Sequence, residues 1–182
     1  KKDPLYQALI PFTTEEEILL SFSWEIENLE KVREEFPSVI SVRFFHMGMF
    51  TVVQVKEKVE KNIKDLIQYF MNHPFIKVVV VVNEDVDPSN LNEVIWAIST
   101  RSYFERDAII KGDMPGLMID PSSRECKSSP ELFNMLVTKA EKLGIDATKP
   151  PSEAEKFKKI DVPHDVREKV KKVVDATLSS GS

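Results

Sequence analysis

The chain has 182 residues, 42% hydrophobic and 30% charged, a composition that supports one domain with a hydrophobic core and excludes a disordered polypeptide. The net charge of -5 offers no general attraction to a phosphate backbone, so we do not expect a nucleic-acid partner. No apolar run is longer than Val78 to Val82, which is far shorter than the roughly 20 residues of a membrane-spanning helix.

The single cysteine and the first residues bear on location and context. Cys126 can form no internal disulfide and has no histidine near it in sequence, which favours a loop thiol in a reducing cytoplasm. The chain begins Lys-Lys-Asp-Pro, without an initiator methionine, a signal region or a lipidation motif. We therefore expect a cytoplasmic protein and a sequence cut from a longer one.

The first half of the chain alternates strand and helix patterns. Tyr6 to Phe12 predicts a short strand, and the capping-box pair Thr14 and Glu17 opens a helix that Pro37 stops. The β-branched and aromatic segments Val39 to Phe45 and Phe50 to Val55 predict two strands joined through Gly48. A helical apolar spacing then runs from Val59 to Phe70 and ends before Pro74.

The second half continues the alternation. The valine run is apolar on both sides, as a central strand covered by helices on both faces requires. Asn90 and Glu93 mark another helix start, and Ala108 to Ile110 predicts a short strand. We expect a loop over Gly112 to Lys127, and then a helix from Ser129 to Leu143 that Gly144 terminates.

The order of elements predicts an α/β fold: a three-layer domain with a mixed, partly parallel sheet flanked by helices. We assign residues 1–148 to this domain. Residues 149–182 are predicted to be a charged linker and a C-terminal helix that packs on a neighbouring surface through its valines, Val166, Val170, Val173 and Val174.

Few residues suggest chemistry from spacing alone. His46, His73 and His164 have no metal-ligand spacing, and neither a nucleophile elbow nor a glycine-rich phosphate loop is present in the sequence. Glu84, Asp85 and Asp87 follow the valine strand, where they could hold a hard cation or cap the next helix. Lys56 could contact a phosphate or remain solvated. An ion-pair network at the end of a helix could be formed by Arg101, Arg106 and Asp107.

Several strings carry a family resemblance. They are Val-Val-Asn-Glu-Asp-Val-Asp at 81–87, Asn-Glu-Val-Ile-Trp-Ala-Ile-Ser-Thr-Arg at 92–101, Glu-Arg-Asp at 105–107, and Lys-Leu-Gly-Ile-Asp-Ala-Thr at 142–148. Asp-Pro-Leu-Tyr at 3–6, the segment 52–56, Pro-Gly at 115–116 and Ile-Asp-Pro-Ser at 119–122 follow the same order. Together they resemble the C-terminal domain of the UbiD family of decarboxylases.

The resemblance implies a role in a larger enzyme. Members are reversible decarboxylases of aromatic and α,β-unsaturated acids that use prenylated FMN, supplied by a flavin prenyltransferase, with a divalent metal and potassium at the cofactor phosphate. Their catalytic arginine and acidic pair precede this domain, and neither motif is found here. The resemblance therefore implies that this chain contains no catalytic residue and no metal ligand. It also implies an upstream cofactor-binding domain and a homo-oligomer. By itself, the chain is expected to be inactive and to bind no cofactor.

The resemblance also implies three site residues. Lys56 matches a lysine that reaches the cofactor phosphate, and Leu117 and Met118 lie in a segment, Pro115 to Pro121, that brings apolar side chains over the substrate. This sequence has Gly-Leu-Met-Ile-Asp where many members have Gly-Ser-Pro-Leu-Asp, so the resemblance fixes neither the pocket shape nor the substrate. The alternative is a non-catalytic oligomerisation or partner-binding subunit of a multi-chain carboxylase.

Overall fold

A computed structural model of the chain describes residues 29–46, 48–56, 62–117, 120, 122, 137–150, 154–157 and 163–179. The predicted strand Tyr6 to Phe12, the start of the helix predicted from Thr14, Met118 and Cys126 lie outside the described residues.

Five strands form one mixed sheet. They are β1 (Val39–Phe45), β2 (Phe50–Val55), β3 (Val78–Asn83), β4 (Ala108–Leu117) and β5 (Val137–Ala147). The spatial order is β1-β2-β3-β5-β4. The central strands β2, β3 and β5 are parallel, whereas β1 and β4 pair antiparallel at the two edges. The predicted mixed, partly parallel sheet is therefore confirmed.

Helices connect and cover these strands. Residues 29–35 form helix α1, and the others are α2 (Ile63–Met71), α3 (Leu91–Arg101), α4 (Phe104–Asp107) and α5 (His164–Ser179), with a 3-10 turn at Ala154–Phe157. Asn62 and Asn90 cap α2 and α3, because their side chains accept hydrogen bonds from the backbone N–H groups of Lys64 and Asn92.

The core has two layers, one on each face of the sheet. Val79 and Val81 of β3 pack with one cluster, to which α2 contributes Ile67, and Val80 and Val82 pack with the other, to which α3 contributes Val94. Val79 to Val82 are all fully buried, as a central strand between two helical layers requires. The three-layer α/β prediction is confirmed.

The helix predicted from Ser129 to Leu143 is wrong over its described part, because residues 137–147 form β5. Lysine, glutamate, alanine and leucine dominate this segment and favour a helix locally, but its pairing between β3 and β4 overrides that preference. Thr138, Ala140 and Lys142 are buried and alternate with exposed Lys139 and Glu141, which is the period of a strand. The predicted loop from Gly112 is likewise wrong up to Leu117, since β4 continues to that residue.

The C-terminal helix α5 is present, and the segment 165–174 is exposed along its whole length. Val166, Val170, Val173 and Val174 are 40–65% exposed, so this apolar stripe is not part of the domain core. Within the described ranges, no helix is both long and apolar enough to cross a bilayer.

Candidate functional site

The two edges of the parallel strands carry different groups. Lys56 follows β2 at the carboxyl edge, where its backbone N–H donates to the Ser38 carbonyl at 2.9 Å and its side chain is exposed. Across the sheet, Val55 pairs with Asn83, the last residue of β3. The carboxyl edge is where α/β sheets usually place ligands.

A buried ion-pair cluster closes part of this edge. The Nη1 and Nη2 groups of Arg101 donate to the Asp85 carboxylate, at 3.1 and 2.7 Å, and Lys149 Nζ lies 3.1 Å from the same carboxylate. The Arg101 side chain is fully buried and also donates to the Phe157 carbonyl at 3.2 Å. Burial alone would raise the pKa of Asp85, but the hydrogen bonds from Arg101 and Lys149 outweigh it and hold the pKa below its ordinary value.

The acidic residues after β3 serve the loop and the next helix. The Asp87 backbone N–H donates to Glu93 Oε2 at 3.1 Å, and the Asp87 side chain accepts from the Ser89 N–H at 2.9 Å. In the part of the chain that the structure describes, no group of three or more metal-ligating side chains converges. Asp87 therefore caps the loop, whereas Asp85 pairs with Arg101 and Lys149.

The predicted ion-pair network at the end of α3 is divided between two places. Arg101 pairs with Asp85, as described, whereas Arg106 pairs with its neighbour Asp107 at 2.6 Å on the surface. Adjacent surface charges of this kind contribute little to stability.

The amino edge of the parallel strands gathers polar groups that spacing did not reveal. Lys77 precedes β3, and its ammonium lies 2.5 Å from Asp120 Oδ2 and also contacts the Ser122 hydroxyl. Burial alone would raise the pKa of Asp120, but hydrogen bonds from Lys77 and Ser122 lower it. This ion pair ties the segment after β4 to the start of β3.

Lys142 of β5 is buried at the same edge, with 2% of its surface exposed. Its ammonium donates to the His73 carbonyl at 2.5 Å, just beyond the C-terminal end of α2, where a cation complements the helix dipole. Desolvation lowers the pKa of Lys142 to about 8. Burial and the nearby Lys142 charge both lower the pKa of the His73 imidazole, which is therefore neutral near pH 7.

An aromatic cavity of about 220 Å³ opens beside this cluster. Its lining includes four aromatic side chains, contributed by β1, α2 and the turn after α2, and two polar residues that follow α2. They are Phe44, Tyr69, Phe70 and Phe75, with Asn72 and His73. A second, much smaller space of about 10 Å³ shares the Pro74–Ile76 wall and is bordered by Lys77, Gly116, Asp120 and Lys142.

The predicted site residues lie at opposite edges of the sheet. Lys56 is at the carboxyl edge. Leu117, the last residue of β4, pairs with Val137 at the start of β5. Because β5 is parallel to β3, the start of β5 and Leu117 with it lie on the amino side of the sheet. The edges are separated by the six residues of β2, or about 20 Å, with helices covering both faces between them. The structure thus does not bring Lys56 and Leu117 together.

The three histidines are also separated. His46 lies exposed in the turn after β1, His73 follows α2 beside the cavity, and His164 begins α5. Sequence reasoning missed Lys142 and Lys77. The signal for Lys142 was the two-residue period of β5, which a lysine on its buried side obscures.

Comparisons with known proteins agree on one family. The 3-octaprenyl-4-hydroxybenzoate carboxy-lyase C-terminal domain, UbiD_C, matches residues 17–147. The anhydromevalonate phosphate decarboxylase of Methanocaldococcus jannaschii is 32% identical over 152 residues, which cover 81% of this chain and 34% of the relative. The phenolic acid decarboxylase of Sedimentibacter hydroxybenzoicus is 27% identical over 158 residues, 82% of this chain and 30% of the relative.

Solved structures are similar in the same region. The UbiD-class enzyme HmfF of Pelotomaculum thermopropionicum, solved with FMN, superposes with a TM-score of 0.68 at 31% identity, covering 82% of this chain and 32% of HmfF. The closed form of Sedimentibacter hydroxybenzoicus vanillic acid decarboxylase gives 0.65 at 25% identity, covering 90% of this chain and 34% of that chain. The chain spans about a third of the length of the curated relatives it matches. It belongs to the UbiD decarboxylase family, of which it represents the C-terminal domain.

Proposed function

We propose that this chain is the C-terminal domain of a prenyl-FMN-dependent, reversible decarboxylase of aromatic or α,β-unsaturated carboxylic acids. The observation that carries the proposal is the family match over residues 17–147, together with the likeness to a UbiD-class enzyme solved with FMN. The relatives' names span both substrate types, since they include phenolic acid and anhydromevalonate phosphate decarboxylases.

In this proposal the cofactor supplies the bond-breaking chemistry, and the catalytic acid, the divalent metal and potassium are held by the region that precedes the domain. The described residues of this chain fit a supporting role. Lys56 makes no ion pair within the described residues and is exposed directly after β2, so its ammonium is available to a phosphate dianion. One lysine is a contact and not a complete flavin site.

The proposed substrate contacts are Leu117 and Met118. The Lys77–Asp120 ion pair supports this assignment, because it fixes the backbone two residues after Met118 against β3. The proposal includes assembly into a homo-oligomer, cofactor supply by a flavin prenyltransferase, and packing of the C-terminal helix within 149–182 on a neighbouring surface.

A second candidate function is a non-catalytic oligomerisation or partner-binding subunit of a multi-chain carboxylase. The exposed valine stripe of α5 favours it, since an apolar helix face outside the domain core is typical of an interaction surface. The two candidates differ in what the chain does for flavin chemistry.

A chimera separates them. The matched C-terminal region of HmfF is replaced by this chain, and anaerobic prenyl-FMN retention and carbon dioxide release are compared with those of HmfF truncated before that region. We expect the chain alone to retain no stoichiometric flavin, and the chimera to regain both retention and turnover. Stoichiometric flavin binding by the isolated chain would contradict the first candidate. A well-folded chimera as inactive as the truncated enzyme would favour the second.

A further inference from the structure

The aromatic cavity beside α2 is not used by the proposed contacts at Lys56 and Leu117. We propose that it binds a neutral, single-ring aromatic molecule of the phenol class. The binding inference stands on the cavity itself. Its role as a site for the decarboxylated product of an aromatic acid rests on the proposed function.

The volume of the cavity suits a single aromatic ring. A buried cavity of about 150 Å³ lined by apolar side chains is large enough for benzene. The present cavity of about 220 Å³ therefore accommodates one ring with one or two small substituents.

The walls of the cavity are largely aromatic. Phe44, Tyr69, Phe70 and Phe75 line the cavity, and aromatic side chains favour a flat ring over an aliphatic chain of equal volume. These walls are held in place. Phe70 is buried and packs edge-on against Tyr69 with ring centroids 5.6 Å apart, and His73 lies 5.7 Å from Phe75. A preformed cavity of this kind loses little entropy when a ligand enters.

The described lining of the cavity favours a neutral ligand over an anion. Among the described lining residues, His73 is the one ionisable side chain apart from the Tyr69 phenol, and its imidazole is neutral near pH 7. The ammonium of Lys142 is directed to the His73 carbonyl. A carboxylate would therefore lose its hydration on entering and gain no ion pair from the described lining, whereas a neutral ring would not carry that penalty.

The two polar lining residues, Asn72 and His73, favour a ring that carries a hydroxyl group. Asn72 Oδ1 accepts from Gln68 Nε2 at 2.9 Å, which leaves the Asn72 Nδ2 group to donate to a ligand oxygen. A neutral imidazole can both donate and accept. A phenol hydroxyl, which also does both, matches this pair, and a bare hydrocarbon ring does not.

Calorimetric titration of the full chain with phenol, benzoate and toluene tests the inference. We expect phenol to bind with a dissociation constant below about 1 mM and benzoate at least tenfold more weakly. His73→Leu should weaken phenol binding about fivefold or more without weakening toluene binding. His46→Asn is the control at an exposed histidine, because asparagine tolerates the positive φ of 50° at that position. Phe75→Ala should weaken both neutral ligands, whereas Phe104→Ala, at an exposed phenylalanine outside the cavity, should not.

If the wild-type chain binds no phenol, or binds benzoate as tightly as phenol, the inference is wrong whatever the variants show. Amide chemical-shift changes induced by phenol must also fall on residues 69–76, and changes centred elsewhere would equally overturn it. The chimera's flavin retention and turnover report separately on the proposed function. The chain can therefore fail to bind phenol while the decarboxylase assignment stands, and it can bind phenol even if the decarboxylase assignment is wrong.

Discussion

The β-branched methyl of Ile67 on α2 occupies the space that a Cβ on Gly144 of β5 would need, and Met71 Sδ lies 3.3 Å from the same point. Gly144 is buried in the middle of a strand, so its role is to let α2 approach the sheet. Without a side chain at this position, Ile67 and Met71 reach the backbone of β5 and are themselves fully buried.

Gly144→Ala should lower the free energy of unfolding by about 1 to 3 kcal/mol, because the added methyl overpacks this contact. Chemical denaturation measures the change. Gly112→Ala is the control, since its Cβ would meet only Glu141 Cγ at 3.9 Å, an ordinary contact. Adding Ile67→Leu, which removes the branch at Cβ, should recover part of the loss, and equal losses in the two glycine variants would refute the steric account.

Asp85→Asn should destabilise the chain by about 3 kcal/mol, because it leaves the fully buried Arg101 without its carboxylate. Asp113→Asn is the control, because its ion pair with Lys139 is long, at 3.7 Å, and exposed. The pKa of Asp85 is lowered in the folded state, so its contribution is present above about pH 4 and is lost as the pH falls through the lowered pKa. Urea titrations at pH 7 and pH 3 should therefore show a smaller difference between wild type and variant at the lower pH.

Lys142 should make stability rise with pH in the alkaline range. Its pKa is about 8 in the folded state, against 10.5 for a solvated lysine side chain, so the unfolded chain binds more protons between these values. The free energy of unfolding should increase across this window by up to about 3 kcal/mol from this group. Lys142→Met should remove that rise, and Lys139→Met, three residues away on the exposed side of β5, should keep it. A rise that persists in Lys142→Met would show that another group causes it.

Lys56→Ala in the chimera should weaken prenyl-FMN loading by about 1 to 3 kcal/mol, the range for losing one charge-assisted contact. Lys56→Arg should retain most of the loading, and Lys64→Ala, an exposed lysine in the first turn of α2, should leave it unchanged. Flavin absorbance after gel filtration reports the result. Equal loading in Lys56→Ala and Lys64→Ala would remove Lys56 from the site.

Leu117→Trp in the chimera should alter which acid is preferred, with a change of about tenfold or more in the ratio of kcat/KM between a small and a bulky acid. Flavin loading should stay the same, since Lys56 lies at the other edge of the sheet. Ile110→Trp is the control, at a residue of the same strand that is 75% exposed. An unchanged preference would place the substrate away from Leu117.

Periodicity predicted most of the described fold. The Asn90 cap, the valine strand, the β1–β2 pair and the apolar face of α2 each follow from a short continuous stretch of sequence, because capping and alternation are local. The element that was misread is β5, whose residues favour a helix when considered alone. The candidate sites divide in the same way: Lys56 and Leu117 came from resemblance to a family, and the pairing of Lys77 with Asp120 spans 43 residues that no local pattern connects.

The order and amphipathic pattern of the residues by themselves determined the α/β class and the central valine strand, and the strings at 81–87, 92–101 and 142–148 carried the resemblance to the family. Only the tertiary structure decided that Lys142 is buried, that Gly144 is a packing contact, and that the Lys56 and Leu117 edges are opposite. The physical reason is that strand pairing and helix packing are made between distant segments. Burial, and with it the pKa of Lys142 and the neutral aromatic cavity, exists only after those segments meet.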